Sequence, residues 1–542
     1  SNKALASEDT KKTKTPELPK PKKGFFSAWW HNKLYRRLTV LVVLAVIASA
    51  AVYPPTRYFV LNNLGVRSTS SLTIIEKTKQ PLKNVEVTLA SQTTKTDING
   101  QVQFQGIKLG QQDLIIKKPA FADVDQIVTI GWGSNPLGDI RLTPIGSRYT
   151  FVLSDFLSGK PINKAEATNG ESSAVANSKG EVVLTLPNSK DSEVEITITA
   201  SNYRTEVLKL PVKSKETKEL KMVPSRKAVF VSKREGTYDV YKTDVDGKNE
   251  EKIFAGTGTE NENTTALVAH PTDEIAALVS TRGVSKDKDG NLLSTLTFIN
   301  ISTNETNSVI DGERIQIIGW VGSRLVFVRT VQDTKENDKK RNKIMSYDVQ
   351  TNEEKELAST NYFNDVIIVG GAVLYAPAEY SVNGKVGLYK IDADGNNKAT
   401  VYGNEVWSLF RTSFDTVSAS VCDDWYEYRI PDSSFDKIDG TPPVLKSRIY
   451  TENPAGSKSL WVDERDGKGV LLLYLIANNK DKTIQTASGL KDPTRWLDND
   501  HVIYRVNNGQ ETADYVMSIS GGESKKISDV TNVAGIEGWY YY

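Results

Sequence analysis

A chain of 542 residues exceeds what one hydrophobic core accommodates, and it implies several domains. It is 25% charged and 38% hydrophobic with a formal net charge of +1, so no global field points to nucleic acid. One cysteine, Cys422, excludes an intramolecular disulfide, and three histidines leave little imidazole for metal or acid–base chemistry.

The first 37 residues carry Lys11, Lys12, Lys14, Lys20, Lys22, Lys23, Lys33, Arg36 and Arg37 and few acids. Such a stretch is too polar to bury a core and reads as a disordered basic tail. Leu38 to Tyr53 is uncharged and apolar, a little short of the ~20 residues that cross a bilayer. Trp29, Trp30 and Tyr35 precede it and Tyr53, Tyr58 and Phe59 follow, as interfacial aromatics do. We therefore expect a transmembrane helix and flank over 38–61, in contact with the lipid bilayer. The basic cluster places the N-terminus in the cytoplasm and the rest outside, in an extracellular or periplasmic space. Ala48-Ser49-Ala50 also fits a signal-cleavage site, which leaves a removed signal peptide open as the rival reading.

Beyond the apolar segment the sequence repeats itself. Gln80-Pro81-Leu82 returns as Lys160-Pro161-Ile162, and Asp97-Ile98-Asn99-Gly100 returns as Asn177-Ser178-Lys179-Gly180, both 80 residues on. Alternating apolar positions, such as Val85, Val87 and Leu89 or Val194, Ile196 and Ile198, predict half-buried strands. Asn99-Gly100 and Lys179-Gly180 are tight-turn signals between them. The order of these features resembles the carboxypeptidase-regulatory-like or PEGA-type Ig-like module. The resemblance implies two small β-sandwiches, over 68–145 and 146–224, that serve as stalks or spacers and carry no catalytic residues. The second copy departs from the pattern at Asn177, where the first has Asp97.

From about residue 225 the period falls to ~40 residues with four short strands per unit, the signature of a β-propeller. Units start near 227, 265, 314, 363, 405, 446 and 493, which predicts seven blades over 225–542. The first unit opens directly on its second strand, Ala228 to Val231, and the chain has a spare strand at Val533 to Trp539. That strand is expected to close the ring. The turns Asp244-Val245-Asp246-Gly247 and Asp392-Ala393-Asp394-Gly395, with Trp320 and Trp496 at strand ends, resemble the TolB-type propeller repeat.

No nucleophile elbow, zinc-binding His pair or phosphate loop is present. Asp287-Lys288-Asp289-Gly290 has the opening of a calcium loop but has Phe298 where the bidentate Glu belongs, so it reads as a turn. Asn263, Asn300 and Asn304 begin glycosylation sequons. His270 and His501 read as structural and Cys422 as a buried strand residue. No catalytic residue, cofactor or metal is expected. Four second-to-third loops read as long and polar, and on such loops binding residues collect. They supply the candidates Arg282, Asp287, Asp289, Asp333, Lys335, Lys339, Lys340, Arg341, Glu379, Tyr380, Asp463 and Arg465. Trp407, Trp425 and Trp461 are aromatic candidates for the same role. The resulting expectation is an all-β, membrane-anchored surface protein, not an enzyme, that binds protein or glycan on one propeller face. A structural subunit of an envelope complex, or a hydrolase of cell-wall glycan or peptide with carboxylates over the channel, are the alternatives.

Overall fold

The computed structural model describes residues 32–77, 79–212, 216–378, 385–440, 451–478 and 480–533. The basic tail, Glu379 and Tyr380 therefore lie outside the described residues, as does nearly all of the expected closing strand. The chain divides into two compact units, Ser1–Gly146 and Ser147–Tyr542.

In the first unit, helix α1 (Lys33–Val52) starts where the Asn32 side chain accepts the N–H groups of Leu34 and Tyr35. It stops at Tyr53, held extended at φ −84°, ψ 113° because Pro54 follows. Helix α2 (Pro54–Asn63) then restarts with proline in its first turn. The two helices meet at 96°, and among the described residues no single helix is long and apolar enough to cross a membrane; only the bent pair taken together reaches that length and composition. The expected continuous span over 38–61 is thus broken by the Pro54-Pro55 pair, and the helix begins earlier, at Lys33.

Seven strands follow: β1 (Ser68–Glu76), β2 (Glu86–Leu89), β3 (Gln92–Lys95), β4 (Gln101–Ile107), β5 (Gly110–Lys117), β6 (Val124–Ile130) and β7 (Ser134–Leu142). They form two sheets, in the orders β4-β1-β7 and β3-β2-β5-β6, with β1 and β7 parallel. Their inward residues, among them Ile74, Val87, Leu89, Phe104, Leu114 and Ile116, make one core.

The second unit opens on the same plan. Strands β8 (Ser147–Asp155), β9 (Glu166–Thr168), β10 (Ser173–Val175), β11 (Glu181–Leu186), β12 (Glu193–Thr199), β13 (Glu206–Pro211) and β14 (Thr217–Met222) pair as β11-β8-β14 and β10-β9-β12-β13. The parallel pair recurs as β8 and β14. The shared turn is also kept. Gly100 and Gly180 have φ of +70° and +75°, and a Cβ there would lie 2.4 Å from the Ile74 carbonyl and 2.2 Å from that of Leu153. Asp97 Oδ1 accepts from the N–H groups of Asn99 and Gln101, and Asn177 Oδ1 from those of Lys179 and Glu181. The turn needs only an oxygen acceptor, so the change from Asp to Asn is silent.

Among the described residues, seven antiparallel sheets then form a β-propeller. Blade 1 has three described strands, β15 (Ala228–Ser232), β16 (Asp239–Thr243) and β17 (Glu251–Phe254); the other six have four each, paired in chain order. First strands of blades 2 to 7 begin at Ala266, Arg314, Phe363, Ser408, Thr451 and Leu490. The ring closes through apolar packing of blade 1 on blade 7: Ala228 and Val245 share a cluster with Leu497, Ile503, Val516 and Ile527. On the inner edge of β15, Thr531 donates its N–H to the Val231 carbonyl at 2.9 Å, and Val533 is buried beside Val231 and Val240. The chain thus reaches the inner edge of β15.

Candidate functional site

In an antiparallel blade the second-to-third connections emerge at one end of the strands, and the first-to-second and third-to-fourth connections at the other. At the first end, long connections occur in neighbouring blades: 281–293 in blade 2, 331–341 in blade 3 and 378–387 in blade 4. Those of blades 5 and 6 are two-residue turns, 422–423 and 466–467. The long loop expected over 463–469 does not exist. Asp463 and Arg465 belong to a strand, Lys458–Arg465, that pairs directly with Lys468–Leu475. The Asp463 side chain is fully buried and accepts from Arg465 Nε at 3.1 Å.

The blade 2 and blade 3 loops are built and joined. Asp287 Oδ1 accepts the N–H groups of Asp289 and Asn291, which makes a closed turn of the calcium-like sequence. The Asn291 amide and these N–H groups hold the Asp287 carboxyl below its usual range. Lys288 N–H donates to Asp333 Oδ1 at 3.1 Å, so one loop rests on the other. The blade 3 loop is pinned at its base: Val331 N–H meets the Arg341 carbonyl, and Arg341 grips Glu313 at 2.8 Å. Asp289, Lys335, Lys339 and Lys340 are exposed around these anchors. Arg282 is not among them. It is only 8% exposed, pairs with Glu260 at 3.1 Å and donates to the Ala255 carbonyl, so it ties blade 2 to blade 1.

Other expectations shift as well. Cys422 is exposed, since it sits at φ +51° in the blade 5 turn and not inside a strand. Trp461 is fully buried and Trp425 packs on Phe410, whereas Trp407 is exposed. His270 is a clamp between blades 2 and 3. Its Nδ1 accepts the N–H groups of Thr272 and Asp273, its Nε2 faces the Gly322 carbonyl, and its ring lies edge-on to Trp320. Burial lowers its pKa, in keeping with a neutral ring.

The opposite end of the strands carries the second sandwich. The loop after β8 places Phe156 and Leu157 against blades 7 and 1, where Leu157 and Val223 join the closing apolar cluster. Arg204 binds Asp244 at 2.6 Å and Asp246 at 3.2 Å in the third-to-fourth turn of blade 1. Lys525 of blade 7 donates to the Phe156 carbonyl and stands over its ring at 3.8 Å. At the centre, His501 is held between two carboxylates: Nδ1 lies 2.8 Å from Asp498 and Nε2 lies 3.2 Å from Asp155. Burial acts against its charge, but the two carboxylates prevail and raise its pKa to about 9. Asp155 is correspondingly held well below the usual carboxylate range, against its own burial, by His501 and by the N–H and hydroxyl of Ser158.

These docking residues were missed in the sequence, yet a signal exists. The loop that carries Phe156-Leu157 in the second copy reads Lys77-Thr78-Lys79 in the first. An apolar pair in place of a charged, polar stretch marks a covered surface.

No family model matches the chain, and no curated protein matches it. Among solved structures it is similar to the β-propeller domain of the Trilobed protease from Pyrococcus furiosus, at 11% identity and a TM-score of 0.35, covering 64% of this chain and 94% of that one. TolB from Acinetobacter baumannii matches at 12% identity and a TM-score of 0.33, covering 61% and 78%. An oligogalacturonate lyase in complex with manganese matches at 13% and 0.29, covering 56% and 74%. At such scores the propeller rests on its own sheet order.

Proposed function

We propose that this chain is a membrane-anchored surface protein whose propeller binds a protein or glycan through the connected loops of blades 2 and 3. One observation carries this reading. The long charged loops gather at the end of the strands that the second sandwich leaves uncovered. A rigid scaffold with exposed loops is the usual setting for recognition. The sandwich at the other end acts as a base, as the Ig-like resemblance of the two copies suggests. Helix α1, exposed and apolar along Leu38 to Ile47, supplies the anchor, and the basic tail before it sets the topology.

The test uses the 542-residue chain in detergent, applied to arrays of surface glycans and purified surface proteins. A second sample has 332–340 replaced by Gly-Ser, with Arg341 retained because it anchors the loop base. Capture by the first sample alone supports the reading and locates the face. Equal capture by both removes the loop from the site, and a lack of capture by either favours the envelope-scaffold reading.

A further inference from the structure

The first unit has an end that differs in chemistry from the rest of its surface. Strand β1 starts there, at Ser68. The β4–β5 turn (Lys108-Leu109) lies there because Ile107 pairs with Ser68. The β6–β7 turn (131–133) lies there because Gly133 accepts the Thr69 N–H, while Ser68 Oγ donates to the Gly131 carbonyl at 2.7 Å. Helix α2 is fixed to this same end. Asn62 Nδ2 donates to the Leu109 carbonyl, and the Leu109 N–H donates back to Asn62 Oδ1, both at 2.9 Å. The Tyr58 ring covers Gly110, where a Cβ would lie 3.5 Å from it.

Three large apolar side chains stand out from this end: Trp132 is 79% exposed, Phe59 68% and Leu64 74%. The three segments that build it, 54–70, 105–112 and 130–137, contain Arg57, Arg67 and Lys108 and no aspartate or glutamate. All three cations are exposed. Exposed aromatics ringed by cations, without acids, match the chemistry of a lipid headgroup layer. The geometry of the preceding helix adds a direction. Helix α1 alone is too short and too little apolar to cross an undistorted bilayer, and it meets α2 at 96°, so where α1 inserts along the membrane normal α2 lies along the surface. The uncharged run Leu38–Tyr53 is only ~24 Å long as a helix, shorter than a ~30 Å hydrocarbon core, which draws the next segment down to headgroup depth.

We propose that α2 and the Trp132 turn form a lipid-docking surface that seats the first sandwich on the outer leaflet of the bilayer into which α1 inserts. This rests on the anchoring reading above. Trp132, Phe59 and Leu64 enter the interface, and Arg57, Arg67 and Lys108 meet phosphate groups. The Asn62–Leu109 pair transmits the helix orientation to the sandwich.

The experiment uses the full chain with Cys422→Ser and one added cysteine, reconstituted in phosphatidylcholine–phosphatidylglycerol vesicles that contain doxyl-labelled lipid. Ser134→Cys, two residues from Trp132, and Ile98→Cys, in the turn at the far end of β1, each carry an NBD fluorophore. Loss of NBD emission at 134 but not at 98, abolished when Trp132→Ser and Phe59→Ser are added, supports the proposal. No loss at 134 in a chain that resists alkaline carbonate extraction overturns it, with anchoring intact, and assigns the surface to a protein partner or a second copy. Release of the chain by carbonate overturns the anchoring reading and the docking surface together.

Discussion

At the residue scale, His501 is the group whose protonation most directly concerns the base of the propeller. Its folded pKa is raised to about 9 from an ordinary 6.5, so its contribution is full below ~6.5 and is lost as pH rises through about 9. Asp155 is lowered, so its contribution is present above its ordinary range and lost on acidification. The contact between sandwich and ring is therefore strongest between these limits. Thermal unfolding of the wild type is expected to shift to lower temperature from pH 7 to 9.5, whereas His501→Gln, already weaker at pH 7, shows a flatter profile. Equal profiles would remove His501 from this role. Gly180 offers a test of the duplicated turn: Gly180→Ala meets both a left-handed φ and the Leu153 carbonyl, and the conformation alone costs ~1–3 kcal/mol. Gly100→Ala does the same in the first copy, measured as a fall in the midpoint of chemical denaturation. The glycines and their turns were legible in the sequence, because a tight turn is written in adjacent residues. The distant partner of His501 was not, because Asp155 belongs to another domain and no local pattern links the two.

Elements were legible to the extent that period-two alternation survives. First strands of blades 2 to 5 and 7 start within three residues of their expected positions, since runs of buried apolar residues mark the strands of each blade. Misreadings occur where charge interrupts a strand. Asp463-Glu464-Arg465 reads as loop from polarity alone, yet ladder pairing with Lys468–Leu475 extends the strand through it. Arg282 reads as exposed because it is charged and opens a loop, while its guanidinium is spent on Glu260 and two backbone carbonyls. Between α1 and α2 the apolar run hides a break that the prolines dictate. Substituting Pro54→Ala and Pro55→Ala restores the N–H donors and relieves Tyr53, and α1 and α2 should then run on as one helix. Spin labels at 34 and 61 should move from about 30 Å to about 40 Å apart, by the rise of a straight helix. An unchanged distance would show that the bend is set by the docking of α2 on the sandwich.

For the molecule as a whole, the compact unit that carries the propeller begins at Ser147. A fragment 147–542 retains the contacts of Leu157, Val223 and Arg204, whereas 225–542 exposes Leu497, Ile503 and Ile527 on blade 7. The longer fragment is expected to unfold cooperatively and remain monomeric in gel filtration, and the shorter to aggregate. Arg226 has a related task. It donates to the Trp496 carbonyl of blade 7 at 2.7 Å, to the Asp273 carbonyl of blade 2 at 3.0 Å, and pairs with Glu274. It thereby bridges the two blades that flank blade 1. Arg226→Met keeps the aliphatic stem but should cost about 3 kcal/mol through lost charge-assisted bonds, read in the denaturation midpoint of 147–542.

The seam between the first and last blades also has a consequence during synthesis. Val231 waits for Thr531, about 300 residues later in the chain. At ~5–20 residues per second, the inner edge of β15 stays unpaired for ~15–60 s after it leaves the ribosome. An open strand edge is a template for pairing with other chains. The second sandwich is complete before blade 1 emerges, and it holds blade 1 through Arg204 while the remaining blades are made. The schedule of translation thus fixes how long the nascent ring must be kept from its neighbours, and a slower ribosome lengthens that interval in proportion.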